Sequence, residues 1–187
     1  VTGNRVALIE FVFLDIDGVL NSQAWFDRQA NEGLTGFDPS DEEAWLTMLD
    51  PDCVARLDRL VAAHDAKVVI SSSWRQPLEP STIARRLARR GFRGEVIGAT
   101  TTSNALTPTR KTQRGDQIAH WLATASVEGD VTSCVTSFVI LDDDEDMVHL
   151  VPRHVKTAWA KGLTEDDAAR ASELLAERLL ERDLASI

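Results

Sequence analysis

A chain of 187 residues, with hydrophobic and charged fractions of 43% and 27%, fits one ordinary soluble globular domain with a single sizeable core. Thirty acidic against 20 basic residues leave a formal charge of −10, which argues against a broad nucleic-acid-binding surface while leaving room for a local basic path. No apolar run approaches the roughly 18 residues of a membrane span, so no membrane partner is expected. Two distant cysteines, Cys53 and Cys134, lack CxxC or Cys/His spacing and read as buried thiols of a cytoplasmic protein.

Strand-like and helix-like segments alternate along the chain, the pattern of an α/β fold. Phe11 to Ile16 is a continuous apolar run ending in carboxylates, as expected of a central strand covered on both faces of a parallel sheet. The segment 21–49, with Asn31, Gly33, Gly36, Asp38 and Pro39, reads as a long loop or minimal cap inserted into a single domain spanning 1–187. Asp50-Pro51 then offers an N-cap and first-turn proline to a helix with Val54, Leu57, Leu60 and Val61 on one face. Lys67 to Ser71 is the second strand, running into a serine triplet. Pro80 opens a helix that Gly91 is placed to end in a left-handed conformation. Glu95 to Gly98 is a short third strand, Gly115 to Ala123 a helix carrying Ile118, Trp121 and Leu122, and Ser137 to Leu141 a fourth strand. A fifth strand near His154 to Thr157 precedes a last helix. Thr164 and Asp167 form its capping-box pattern, and Leu174, Leu175, Leu179 and Leu180 supply its apolar face.

Two of these strands end in clusters of acids: Asp15-Ile16-Asp17-Gly18, and Asp142, Asp143, Asp144 and Asp146. Parallel strands of one sheet place their C-terminal ends on the same edge, so the clusters can meet. Carboxylates so gathered repel one another unless a cation or protons compensate, which points to a divalent ion with oxygen ligands, magnesium first. Gly18 lets the chain turn away and brings backbone amides near an anion. Asp142, Asp144 and Asp146 have the opening spacing of a calcium-binding EF-hand loop. Met147 in place of its turn glycine, and Arg153 in place of its terminal acid, rule that loop out.

Phe13-Leu14-Asp15-Ile16-Asp17-Gly18-Val19-Leu20 resembles the first motif of the haloacid dehalogenase (HAD) superfamily. Val68-Val69-Ile70-Ser71, Arg114 at a helix start and Leu141-Asp142-Asp143 resemble the second, third and fourth, in the same order. More narrowly, Ser71-Ser72-Ser73-Trp74-Arg75, Arg114-Gly115-Asp116-Gln117-Ile118 with Trp121-Leu122, and Gly162-Leu163-Thr164-Glu165 are similar to the HAD domain of Swiss Army Knife RNA repair proteins. The resemblance implies a doubly wound, HAD-like Rossmannoid sheet with minimal or no cap domain. It implies a phosphatase in which Asp15 is the nucleophile and Asp17 the acid and base. Ser71 would bind a phosphoryl oxygen, with Ser72 as the alternative, and Arg114 would hold its charge, with Lys111 as the alternative. Gly18, Ser72 and Arg75 would contact substrate. Mg2+ would sit on Asp15, the Asp17 backbone carbonyl and Asp142 or Asp143, while Asp146 is read as orienting a ligand or a backbone amide.

Lacking a second domain-sized insert, the site is expected to be open, which suits a nucleic-acid or nucleotide terminal phosphate; a small phosphomonoester is the companion reading. Arg85, Arg86, Arg89, Arg90 and Arg93 form a basic stretch that either compensates a helix dipole and faces water or touches a nucleic-acid backbone. His149 and His154 lack metal-ligand spacing and read as surface or hydrogen-bonded histidines. A non-catalytic phosphate- or partner-binding module on the same scaffold has no need of the second acid, Asp17. A receiver-like domain would need an aspartate at the third strand's end, and Glu95 to Thr101 has none. Trp74 reads either as packing or as stacking on a base, and the abundance of tryptophans as a whole has no functional account.

Overall fold

The computed structural model describes residues 7–33, 38, 41–101, 113–128 and 133–178; Gly36, Pro39, Lys111, Leu179 and Leu180 lie outside the described residues. In chain order the elements are β1 (Ala7–Leu14), α1 (Gln23–Asn31), α2 (Glu42–Thr47), α3 (Pro51–His64), β2 (Lys67–Ile70), α4 (Pro80–Arg89), β3 (Glu95–Ala99), α5 (Arg114–Glu128), β4 (Ser133–Asp142), β5 (His154–Lys156) and α6 (Glu165–Ala176). Short 310 helices occupy Ser73–Arg75 and Val148–Arg153.

The strands form one parallel sheet in the order β3-β2-β1-β4-β5. Successive residues of a strand face opposite sides, and the two sides of β1 are covered by different helices. Val12 and Leu14 join Val68, Ile70, Val139 and Leu141 under α3, α4 and α6. Phe11 and Phe13 join Val69, Phe138 and Ile140 under α5, whose Ile118 and Leu122 are buried. Trp121 packs its ring edge-on against Phe11 and Phe13, at 5.1 and 5.4 Å between centroids. A strand covered on both faces needs apolar residues at every position, hence the unbroken run at 11–14.

The helix ends carry the expected chemistry. Asp50 caps α3 by accepting the Asp52 N–H at 2.9 Å, with Pro51 in the first turn. Gly91, at φ +99°, follows α4. Thr164 and Asp167 make the reciprocal capping box of α6. The Cys53 thiol is buried beside Asp50, and burial pushes it up to about 11, so it is an unreactive packing group.

The segment 21–49 differs from a plain loop, because it contains α1 and α2. α1 escapes an apolar-periodicity reading because much of its anchoring is polar. Buried Gln29 and Trp25 both donate to the Thr47 carbonyl at 2.8 Å, and Ser22 caps the helix through the Trp25 N–H. α2 is only six residues long, capped by Asp41. β4 and α5 also extend beyond their expected ranges, since the apolar stretches that announce them are shorter than the elements.

Candidate active site

The register of the sheet assembles the site. Leu14 lies beside Ile70 on one side and Leu141 on the other, so Asp15, Ser71 and Asp142 leave the sheet at the same level. Backbone bonds continue the ladder past the strand ends, from Asp15 N–H to the Leu141 carbonyl at 3.0 Å and from Ser71 N–H to Leu14 at 2.8 Å. The chain winds from β1 to β2 and β3, then crosses to β4 on the other side. The β1/β4 boundary is therefore the crevice where open parallel sheets bind ligands.

Asp15 is buried, with one carboxylate oxygen accepting the Ile16 N–H at 2.7 Å and the other 3.5 Å from Arg114 Nη2. Burial raises its carboxyl above the ordinary range, opposed chiefly by Arg114 and by a hydrogen bond from the Ser72 hydroxyl. Asp142 has no exposed surface. Its Oδ1 accepts the Asp144 N–H at 3.0 Å, while Oδ2 makes no hydrogen bond and lies 3.5 Å from Arg114 Nε. Burial, then repulsion from Asp15, pushes Asp142 up to about 8. Asp143 is raised by burial and by Asp144. Oxygens of Asp15, Asp142 and Asp143 all lie within 4.8 Å of one another. Three hard oxygen donors at this spacing, one of them a buried orphan, fit a divalent cation such as Mg2+. The Asp17 side chain lies outside this cluster. Asp144 is exposed and outside it as well.

Asp17 is partly exposed and held by three donated hydrogen bonds: Asn21 Nδ2 at 2.9 Å, and Trp74 Nε1 at 3.2 and 3.1 Å to its two oxygens. Gly18 has φ +72°, and a Cβ there would stand 2.3 Å from Asp143 Cγ, so only glycine permits the two acidic loops to approach this closely. Thr157 ties them together, its N–H donating to Asp142 at 3.1 Å and its hydroxyl to the Gly18 carbonyl at 2.7 Å.

The serine triplet divides its tasks. Ser71 Oγ receives the Thr100 hydroxyl at 3.4 Å, whereas the Ser72 hydroxyl bonds Asp15 and accepts the Trp74 N–H at 3.3 Å. The Arg75 guanidinium donates to the Ser72 carbonyl and to buried Gln117; burial and the neighbouring Arg114 bring it down to about 10. Asp146 accepts the Arg114 N–H at 2.9 Å and so orients the first turn of α5, and Gly115 lets that turn pack against Met147. The alternative cation Lys111 lies outside the described residues. His154 Nε2 donates to the Asp142 carbonyl, 2.9 Å away, and His149 is exposed; neither joins the acidic cluster.

The arginine stretch is largely engaged elsewhere. Arg86 is buried, pairs with Glu42 at 2.8 Å and lies 4.3 Å from the Trp45 ring; Arg89 pairs with Glu43; Arg90 donates to the Leu49 carbonyl; Arg93 pairs with Asp58 at 2.6 Å. Arg86 and Arg89 thus tie α2 to α4, Arg93 pairs with α3, and Arg85, Arg89 and Arg93 are exposed, as the solvated-face reading of this stretch has it.

Asn21, Gln117 and Thr157 were absent from the sequence-derived site, and Trp74, expected to pack or to stack on a base, packs on Trp45 and donates to Asp17. Asn21 stands one turn beyond Asp17 in a tight loop, a spacing that offers the only local signal. No curated protein and no solved structure matches the chain. The model of the HAD domain in Swiss Army Knife RNA repair proteins matches residues 11–168. That match takes in both acidic loops, the serine triplet, Arg114 and the insert between them, and the chain belongs to this family of HAD domains.

Proposed function

We propose that the chain is a magnesium-dependent phosphomonoester hydrolase that works through an aspartyl-phosphate on Asp15. Membership of a HAD family indicates a phosphatase-type hydrolase. The observation that carries the finer reading is a set of complementary unmet hydrogen-bonding groups beside Asp15. Arg114 Nη1 and Arg75 Nε are buried donors without acceptors, while Asp142 Oδ2 is a buried acceptor without a donor. Buried polar groups left unsatisfied are expensive. A phosphoryl group answers the guanidinium donors, and a divalent cation answers the carboxylate.

In this reading the Asp15 carboxylate attacks phosphorus, forming a carboxylate–phosphorus bond as the ester bond breaks, and the departing oxygen takes its proton from Asp17. Water then attacks the aspartyl-phosphate, gives its proton to Asp17, and free phosphate leaves Asp15. Asp17 is suited to this alternation because Asn21 and Trp74 fix it away from the acidic cluster while part of it faces solvent. Arg114 and Arg75 hold the charge on the transferring group, with the Ser72 hydroxyl bonded to Asp15 and Ser71 as the other hydroxyl at the end of β2. Mg2+ held by Asp15, Asp142, Asp143 and the Asp17 backbone carbonyl supplies positive charge against the mutual repulsion of nucleophile and substrate. Gly18 is the backbone position that admits this approach. The substrates that fit are a nucleic-acid or nucleotide terminal phosphate, or a small phosphomonoester.

The test is phosphate release from p-nitrophenyl phosphate with and without Mg2+, followed by trapping of the covalent intermediate. Asp15→Asn should abolish both turnover and labelling by substrate phosphate. Asp17→Asn should still label with this good leaving group but release phosphate about 10²-fold or more slowly, so that the phosphoenzyme accumulates. Full turnover in Asp15→Asn overturns the covalent route.

A further inference from the structure

Of the five tryptophans, four are at least partly buried, while Trp159 is 43% exposed. It stands on a tight turn whose backbone is fixed at both ends. Ala158 and Gly162 bridge, and the Lys161 and Gly162 N–H groups both donate to the Ala158 carbonyl, at 2.8 and 2.9 Å. The carbonyls of Trp159 and Ala160 accept the N–H groups of Gln23 and Ala24 at the start of α1, and Leu163 N–H donates to Val19. A fixed turn ordinarily carries a small or polar residue at its exposed tip. Here it carries an indole, propped by Phe26 at 6.0 Å between centroids and by a 3.4 Å hydrogen bond to Gln23. Packing gives no reason for the ring to stand out.

Its position does. Trp159 follows Thr157 by two residues, and Thr157 is the residue that bonds both Gly18 and Asp142. The two α-carbons are therefore at most about 7 Å apart, on the edge of the sheet that holds the acidic cluster. Two residues further on, Lys161 is exposed and has no ion pair among the described residues. A rigid aromatic surface with one cation beside it, next to a phosphate-handling site, matches a base attached to a phosphorylated sugar. With a net charge of −10 the chain has no general pull on a polyanion, and stacking on an uncharged ring is a way to hold a nucleic-acid end that this does not oppose.

We propose that Trp159, assisted by Lys161, is a stacking subsite for the nucleobase of the nucleotide whose phosphate is removed. This makes the end of a polynucleotide the substrate class. The inference rests on the phosphatase reading above, and the two can fail separately. The experiment compares a short oligonucleotide carrying a terminal phosphate on a normal nucleotide with the same oligonucleotide ending in an abasic sugar phosphate, using wild type, Trp159→Ala and Trp159→Phe with Mg2+. Wild type should prefer the base-bearing end by on the order of tenfold in kcat/KM, Trp159→Ala should bring the ratio near one, and Trp159→Phe should restore part of it. The ratio cancels any general loss of folded enzyme. Equal turnover of both ends by wild type overturns the subsite and leaves the phosphatase intact.

If wild type hydrolyses no phosphomonoester, the phosphatase reading falls, and the subsite is then judged by fluorescence anisotropy with labelled oligonucleotides of both kinds. A base-dependent affinity lost in Trp159→Ala supports it; equal affinities, or no binding, overturn it.

Discussion

Asp17 receives hydrogen bonds from Asn21 and from the Trp74 indole N–H, which reaches both of its oxygens, an arrangement that fixes the carboxyl in place and bears on its proposed acid–base role. Trp74→Phe keeps a ring against Trp45, whose centroid is 5.2 Å away, and deletes only the donor. A hydrogen bond to a charged group is worth about 1.5–3 kcal/mol, so kcat for an alkyl phosphate should fall about tenfold or more. p-Nitrophenyl phosphate, whose leaving group departs without a proton, should lose far less; equal losses for the two substrates would remove the orienting role. At this scale the sequence disclosed what is encoded by adjacency: Asp15, Asp17, Gly18 and Asp142 stand in short runs at strand ends. It did not separate Ser71 from Ser72, because which hydroxyl meets Asp15 depends on where the chain turns after β2. The task of Trp74 was hidden because its partner is 57 residues away.

The insert between β1 and α3 owes its form to contacts made across the chain. α2 is too short to persist alone. It is held by Arg86 of α4, which bonds Glu42 in two places and lies over Trp45, and Trp45 in turn packs on Trp74. This explains why a segment with loop-like composition is helical, and it gives Arg86 a structural task. The Arg86 hydrogen bond, with burial acting against it, holds Glu42 below the usual carboxylate range. Arg86→Ala should lower the thermal midpoint by about 5 °C, as expected for loss of a largely buried guanidinium in a chain of this size. Exposed Arg85→Ala should leave it within about 2 °C. Equal midpoints for Arg86→Ala and wild type would show that the insert is held by something else. Tryptophans likewise find a purpose only here: Trp25, Trp45 and Trp74 link α1, α2 and the Ser73–Arg75 turn, while Trp121 belongs to the opposite core.

The two edges of the sheet treat their buried carboxyls in opposite ways. Alternating strand and helix signals announced a parallel sheet, but its order depends on pairings between distant segments, so the meeting of the two acidic loops was an expectation until β1 and β4 were seen side by side. At the edge away from the site, burial alone would raise Asp58, yet the Arg93 guanidinium and N–H, at 2.6 and 2.7 Å, hold it below its usual range. A depressed carboxyl stabilises the fold above its unfolded value of about 4, and that contribution is lost as pH falls through the folded value. Urea unfolding of Asp58→Asn should therefore show lower stability than wild type at pH 7, with the gap closing toward pH 3; a gap independent of pH would assign the loss to packing. At the site the balance is reversed, because Asp142 is fully buried with one oxygen unbonded among acids that repel it. The substitution Asp142→Asn keeps a side-chain carbonyl to accept the Asp144 N–H and removes the charge. Without divalent ions at pH 7 this variant should be more stable than wild type by about 1–3 kcal/mol, since wild type must either bury a carboxylate beside other acids or take up a proton to neutralise it, and the amide does neither. Millimolar Mg2+ should raise the wild-type midpoint, because a ligand bound only by the folded state stabilises it by mass action, and should leave the variant's unchanged. The variant's advantage then shrinks or reverses as Mg2+ is added, while its phosphatase activity stays lost. Two parallel Mg2+ titrations of the thermal midpoint would instead remove Asp142 from the metal site, and a metal-free variant less stable than wild type would mean that the Arg114 contact at 3.5 Å already compensates the charge.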